Sequence, residues 1–388
     1  MDEDLSISEL PIGHDRDAAY ARIRDRGEVT GIDGSLAVTS RQWAEHVLRD
    51  PGLFSSERAF EGAGSAVPML PIAFDPPEHT RYRRLLQPHF SRRSVQAMRD
   101  EVRDLAEQLV GRVADAGSCD FVAEVAVPLP AQVFLTMFGL PPEHRDRLIA
   151  WKDAILTATS TRGTEAPDER TANAAAELTG YLVEHIRVRR SGPPRPDLLG
   201  RLIGDRSADA LTDRELLGLC FQFVLAGLDT VTSALANAFA ILATRPDLRR
   251  RIVADPAIVP AAVEELLRVD GPVLTLPRVA VRDTEIAGAA VPAGCPVHVI
   301  LATANRDGAE HPDPDSVDLG REQPHLAFGS GPHYCLGVHL ARLEMQTVME
   351  VWHRHIPDYR LADHATPTAR WPAGLVGVTR LPLVRPSA

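Results

Sequence analysis

The sequence predicts a mainly α fold, one domain spanning residues 1–388, with small β-sheets at its periphery. Three observations carry that reading. Apolar residues recur at helical spacing along most of the chain, strand-type alternation is confined to short runs, and no repeat or compositional shift divides the sequence. Helices are predicted over 41–48, 94–116, 142–157, 171–190, 213–244, 256–269 and 338–354. Strands at 29–32 and 36–39 flank Asp33-Gly34, a favourable hairpin turn. Runs at 278–282, 285–286 and 297–302 predict a second small sheet, and 376–384 a closing strand pair. The Pro/Gly-rich stretch 191–197 has helical patterns on both sides and reads as an interhelical loop.

The formal net charge of −11 argues against nucleic acid or an anionic membrane as a general partner. Four cysteines without a CxxC pair, and a start (Met1-Asp2-Glu3-Asp4) lacking a basic and apolar signal region, predict a reducing cytoplasm and no membrane anchor. Segment 219–243 is apolar and long enough to span a bilayer. Yet Gln222, Ala226, Asp229, Thr230, Ser233 and Asn237 fall within a sector of about 100°, one polar stripe on an otherwise apolar helix. That pattern predicts a core helix facing a cavity, and a mid-span carboxylate is costly in lipid.

The most informative stretch is Phe328-Gly329-Ser330-Gly331-Pro332-His333-Tyr334-Cys335-Leu336-Gly337. It presents one cysteine on a glycine-rich loop just ahead of a helix, where unpaired amides and the helix dipole favour an anionic sulfur. The expectation is a lowered thiol pKa, hence a nucleophile or a metal ligand. Three glycines let something large approach the backbone. Cys119, Cys220 and Cys295 read as small core hydrophobes.

This stretch closely resembles the haem-binding loop of the cytochrome P450 family, Phe-x-x-Gly-x-[Arg/His]-x-Cys-x-Gly, with every fixed position filled. The flanks, His325-Leu326-Ala327 and Val338-His339-Leu340-Ala341-Arg342-Leu343-Glu344, are similar to the bacterial, soluble branch. The resemblance implies the family's triangular helical prism, haem b as cofactor and Cys335 as axial ligand to the iron.

Asp229-Thr230 has two explanations from the residues alone. A threonine can bond back to the carbonyl four residues earlier and, next to Gly227, kink the helix. A buried Asp beside Thr can also serve chemistry. Ala226-Gly227-Leu228-Asp229-Thr230 resembles the family's oxygen-groove motif, which implies that Thr230 holds ordered water at the oxygen-binding face while Asp229 relays protons from solvent. Glu265 and Arg268, at i and i+3, read alone as an ordinary surface pair. The resemblance implies instead the family's Glu-x-x-Arg brace, whose usual third, basic partner in the following loop is replaced by Ser316.

Haem propionates need cationic or hydrogen-bonding groups at one edge. Resemblance assigns His79, Arg83, Arg278 and His333 to them, and Phe328 and Gly337 to the haem-contacting loop. Segments 64–72, 273–276 and 374–376 match pocket-lining segments of the family. They imply walls at Met69, Leu70, Leu225, Leu228, Val273, Leu274 and Leu375, with Gly64 to Val67 and Gly374 beside them. Arg81, Arg84, Arg92, Arg93 and Arg342 offer a basic patch for an acidic ferredoxin.

The implied activity is a haem-thiolate monooxygenase. It inserts one atom of O2 into a hydrophobic small molecule (terpenoid, steroid, fatty-acid or polyketide type), as a cytoplasmic monomer fed from NAD(P)H through ferredoxin reductase and ferredoxin. A peroxygenase, isomerase or dehydratase on the same fold is one alternative. A non-catalytic haem-based binder or gas sensor is another.

Overall fold

A computed structural model describes residues 4–60, 68–161, 169–207, 209–322, 324–371 and 375–385, with side chains undescribed at 157–161. In chain order the elements are α1 (Arg16–Arg24), β1 (Val29–Ile32), β2 (Ser35–Val38), α2 (Arg41–Arg49), β3 (Phe54–Ser55), α3 (Glu78–Leu86), α4 (Arg92–Gln96), α5 (Arg99–Ala116), β4 (Ser118–Asp120) and α6 (Pro128–Phe138). There follow α7 (Arg145–Thr161), α8 (Glu169–Ser191), α9 (Leu198–Gly204), α10 (Asp213–Gly227), α11 (Thr230–Thr244), α12 (Pro246–Ala254) and α13 (Val259–Asp270). The chain ends with β5 (Thr275–Ala280), β6 (Thr284–Ile286), β7 (Ala289–Val291), β8 (Pro296–Ile300), α14 (Leu301–Ala304), α15 (Val338–His355), β9 (Arg360–Leu361) and β10 (Pro382–Val384).

The predicted hairpin and the runs near 278–282 and 297–302 share one sheet, while the run 285–286 lies in β6, which pairs only with β7 in a separate two-stranded sheet. Asp33 and Gly34 both take positive φ (47° and 75°), closing the β1–β2 hairpin as a primed turn. β2 then runs parallel to β8, so the hairpin joins a five-stranded sheet ordered β1-β2-β8-β5-β3. β5 begins earlier than predicted and ends at Ala280; Leu301 and Ala302, expected in a strand, open α14. The closing pair is only partly formed. β10 pairs with β4 and β9, while Leu375 makes an isolated bridge to Val273.

The helix predicted over 94–116 divides at Ala97-Met98, and that over 213–244 divides at Leu228-Asp229. The latter segment is long and apolar enough to cross a membrane, yet 72% of its apolar window is buried within the protein, as befits a core helix. α6 and α12 were hidden from periodicity because α6 is apolar on every side and α12 is short and arginine-rich.

Two large apolar clusters frame the site. One joins α5, α11, α13 and α15, with Phe121 stacked on Phe239 at 4.0 Å and Trp352 set edge-on to both. The other joins α3 with α6 through α10. α10 and α11 link the two, so the break at residue 228 lies where they meet. The loop at 191–197 is firmly docked. Asp197 caps α9 through the Gly200 N–H and accepts from Arg189, which also donates to the Gly139 carbonyl.

Candidate active site

Cys335 follows a turn of 3-10 helix (Gly331–His333) and precedes Gly337, the N-cap of α15. Its N–H donates to the Phe328 carbonyl at 2.9 Å, folding the loop into a tight arch. The glycines divide the labour. Gly329 and Gly331 have φ of +71° and +68°, and a Cβ on Gly331 would stand 2.3 Å from the Leu48 carbonyl oxygen, so α2 fixes that residue as glycine. Gly337 has an ordinary φ of −84°, but a Cβ there would meet no protein atom within 4 Å. It borders open space beside the sulfur.

The thiol pKa corrects the helix-terminus expectation. Burial pushes the Cys335 thiol up, outweighing a hydrogen bond from the Gly337 N–H and the charges of Arg83 and Arg342. Dipole and amides alone do not offset the desolvation of the thiol. A bonded metal cation would supply what they do not.

His79 and Arg83, one turn apart on α3, Arg278 on β5 and His333 on the ligand loop converge. The two imidazoles lie 4.2 Å apart between centroids. Burial and then the Arg83 charge bring His79 down to about 4; burial, His79 and the two arginines bring His333 down to about 3. Burial lowers Arg278 to about 10. His79 and Arg278 are only 2% and 4% exposed. Among the described residues, the buried Nε2 atoms of both histidines have no hydrogen-bond partner, and Arg278 donates only to the carbonyl of its neighbour Pro277. Asp75, the nearest carboxylate to influence them, is held by the Ser55 hydroxyl and the Ser56 N–H. Four groups whose positive forms destabilise one another, with unmatched donors, form a site for a dianionic edge. Together with the open space at Gly337 and the adjacent thiol, this donor set fits haem.

Asp229 and Thr230 sit at the helix break, and both explanations offered for them have a geometric basis. Thr230 Oγ1 donates to the Ala226 carbonyl at 3.1 Å, the local bond that favours a break. Asp229, no longer continuous with α10, accepts from Lys152 Nζ at 3.1 Å. Lys152 lies on α7, is 2% exposed and also pairs with Asp153 at 2.8 Å. Nothing in the sequence pattern singled out Lys152. Beyond the break, Ser233 and Asn237 of the polar stripe are buried and do not face a cavity. Asn237 donates to the Asp270 and Val376 carbonyls and accepts from the Val378 N–H, and a Cβ on Gly377 would collide with Ser233. These side chains fasten the C-terminal segment, because the break at residue 228 divides the stripe.

Glu265 and Arg268 form a buried fork-to-fork pair at 2.7 and 2.8 Å, 3% and 1% exposed. The surface reading is therefore wrong. Arg268 also donates to the carbonyls of Asn305, Pro314 and Ser316, so Ser316 contributes its backbone. The missing basic partner is Arg321, whose Nε reaches Glu265 Oε1 at 3.1 Å beside the Asp318 N–H. A second ion pair, also unseen in the sequence, holds the ligand loop. Glu264 accepts two bonds from Arg342, which lies over the Phe328 ring at 5.0 Å, and a third from His325. Burial alone would raise Glu264, but those bonds prevail and hold it near 2.

Arg342 is thus not free for a docking patch. Arg81 and Arg84 are also engaged, with Glu215 and Asp209, leaving Arg92 and Arg93 without an ion pair among the described residues. Of the expected pocket walls, Met69, Leu70, Leu225 and Leu228 share one apolar cluster, and Val273 bridges Leu375. Leu274 points elsewhere, into the cluster of Leu5, Leu10 and Ile12. Gly64 to Val67 and Gly374 lie outside the described residues.

The chain is similar to known proteins in sequence and in fold. The family model described as Cytochrome P450 matches residues 31–352. The mycinamicin IV hydroxylase/epoxidase of Micromonospora griseorubida is 37% identical over 320 residues, covering 81% of this chain and 79% of its own length. A steroid C26-monooxygenase of Mycobacterium tuberculosis is 32% identical over 387 residues, covering 99% and 97%. Among solved structures, a mutant of P450 EryK in complex with erythromycin B superposes with a TM-score of 0.85 at 31% identity, covering 95% of each chain. Its fold, its relatives and the motifs at Cys335 and Glu265 agree: the chain belongs to the cytochrome P450 family, whose members use haem b.

Proposed function

We propose that this monooxygenase acts as one haem domain spanning residues 1–388, in which Cys335 would bind the haem iron as a thiolate and His79, Arg83, Arg278 and His333 would hold the propionates. The observation that carries the reading is the pair of orphaned, buried imidazole nitrogens at His79 and His333 next to that sulfur. Phe328 and Gly337 would border the bound group, Gly337 leaving room for it by lacking a side chain. Bound haem supplies the reductive activation of O2 and the transfer of one oxygen atom. Cys335 donates electron density, moderated by the Gly337 N–H. Glu265–Arg268–Arg321 and Glu264–Arg342 keep the loop from yielding.

Thr230, with its hydroxyl proton committed to the Ala226 carbonyl, keeps its lone pairs free to accept from water. Asp229, partly exposed at the end of the break, takes protons from solvent and passes them along that water. Its bond to Lys152 sets the resting orientation, so relay requires the carboxylate to rotate away from the ammonium. Met69, Leu70, Leu225, Leu228, Val273 and Leu375 line the substrate side with apolar surface, which supports a hydrophobic substrate of terpenoid, steroid, fatty-acid or polyketide type. The relatives named for mycinamicin IV and for a steroid support an organic small molecule as substrate. Electrons come from NAD(P)H through a ferredoxin and its reductase, in a cytoplasmic monomer. Displacement of the iron-bound water by a panel of such compounds, followed by product formation that requires NADH, ferredoxin and reductase, tests the reading; turnover with hydrogen peroxide alone at an equal rate contradicts it.

A further inference from the structure

Two buried arginines cross between the same two backbone segments. Arg268, on α13, donates to the Asn305 carbonyl at 2.9 Å, while Arg306 donates through Nε and Nη2 to the Val269 carbonyl at 3.0 and 2.8 Å. Each guanidinium therefore binds the carbonyl adjoining the other. Both also reach the loop ahead of the ligand segment. Arg268 takes the carbonyls of Pro314 and Ser316, and Arg306 takes the carboxylate of the residue between them, Asp315, at 3.1 Å. Asn305, also buried, completes the circuit. Its Oδ1 accepts from the Leu326 N–H at 2.5 Å, and the Leu326 carbonyl accepts from the Gly329 N–H, where the arch carrying Cys335 begins.

The outer side of this junction is held by α1. Asp17 pairs with Arg306 at 2.6 Å, Arg24 forks onto Asp315 at 2.8 and 2.6 Å, Arg16 reaches buried Asp270 at 2.8 Å, and the Tyr20 ring lies under the Arg306 guanidinium at 5.1 Å. Arg306 is 2% exposed, so its fork onto the Val269 carbonyl imposes direction as well as energy, while Asp17 and Asp315 engage it from the solvent-facing side through the orientation of their charge-assisted bonds. We propose that α1 is a positioning element for the ligand loop: Asp17 and Arg24, acting through Arg306, Asp315 and Asn305, hold the segment that sets where the Cys335 sulfur stands. The proposal rests on the reading of Cys335 as the axial ligand.

The test uses full-length, haem-loaded protein, reduced and bound to carbon monoxide, and follows conversion of the thiolate-type absorption band to the thiol-type band at constant temperature. In Asp17→Ala/Arg24→Ala, conversion is expected to be about tenfold faster than in the wild type, with unchanged far-ultraviolet circular dichroism. Asp17→Glu/Arg24→Lys is expected within about twofold of wild type. Arg190→Ala, which cuts the surface pair of α8 with Asp213 of α10, is expected to convert at the wild-type rate. Wild-type conversion in the double alanine variant, or equal acceleration in Arg190→Ala, overturns the proposal. Should the double variant fail to take up haem, Arg306→Lys, which keeps the charge but loses the fork onto Val269, is expected to show the same acceleration, and wild-type behaviour there overturns it too. A wild-type protein with no thiolate-type band contradicts the ligand reading itself, a result distinct from unchanged conversion in the variants.

Discussion

The imidazoles of His79 and His333 lie 4.2 Å apart between centroids, tilted at 47° to each other, although one comes from α3 and the other from the ligand loop. Each keeps a buried nitrogen without a partner, and each is held far below the ordinary histidine pKa by burial and by positive neighbours. Such an arrangement is unfavourable for the protein alone and favourable for a protein holding two carboxylates. The geometry around it yields the following expectations.

The haem-free protein should lose stability as pH falls. A histidine with a depressed folded-state pKa binds fewer protons folded than unfolded between that pKa and about 6.5, so stability rises with pH across that window. For His79, near 4, the loss between neutral pH and pH 4 is about 3 kcal/mol. Propionates bring negative charge to the same nitrogens and should flatten the slope. Urea unfolding of both forms from pH 7 to pH 4 measures it; equal slopes would show that the anions bind elsewhere.

Gly337 and Gly331 should respond oppositely to added side chains. Gly337→Val has open space and an ordinary φ, so thermal unfolding of the haem-free protein should be nearly unchanged while haem stoichiometry drops severalfold. Gly331→Ala strains a left-handed residue against the Leu48 carbonyl and should cost about 1–3 kcal/mol. Full haem loading of Gly337→Val would remove that residue from the haem face.

Arg268→Ala should destabilise by roughly 3–5 kcal/mol, since it strands the buried Glu265 and three backbone carbonyls. Arg321→Ala, which leaves the Glu265–Arg268 fork intact, should cost roughly 1–3 kcal/mol. Denaturant melts with haem content as a second readout rank the two, and a reversed order would refute Arg321 as the junior partner.

Thr230→Ala should keep substrate binding but divert reducing equivalents to peroxide, and Asp229→Asn should slow product formation by about a hundredfold. Lys152→Met should leave binding intact and alter the solvent isotope effect on turnover, because it frees the carboxylate it holds. Coupling of NADH consumption to product checks all three; wild-type coupling in Thr230→Ala removes it from the relay.

Much of this site was legible because its determinants are local. The ligand loop, the Asp33-Gly34 hairpin and the Glu265–Arg268 spacing each depend on residues a few positions apart. What escaped depends on distant segments meeting. Lys152 finds Asp229 only once α7 lies across the helix break, Arg321 replaces the expected basic partner only through the path of its loop, and Glu264 looks ordinary until Arg342 and His325 arrive. The division of the polar stripe at Leu228 was similarly hidden. A continuous wheel cannot show that Asn237 serves the C-terminal backbone while Asp229 does not. The Cys335 thiol was misjudged for the same reason, since burial is a property of the assembled fold.

The central claim is that Cys335 bonds the haem iron as a thiolate. The reduced, carbon monoxide-bound difference spectrum tests it most directly, recorded for the wild type and for Cys335→Ala reconstituted with equal haem. The account predicts the thiolate-type band in the wild type and its complete absence in the variant. The same band in Cys335→Ala, or no such band in the wild type, would contradict it.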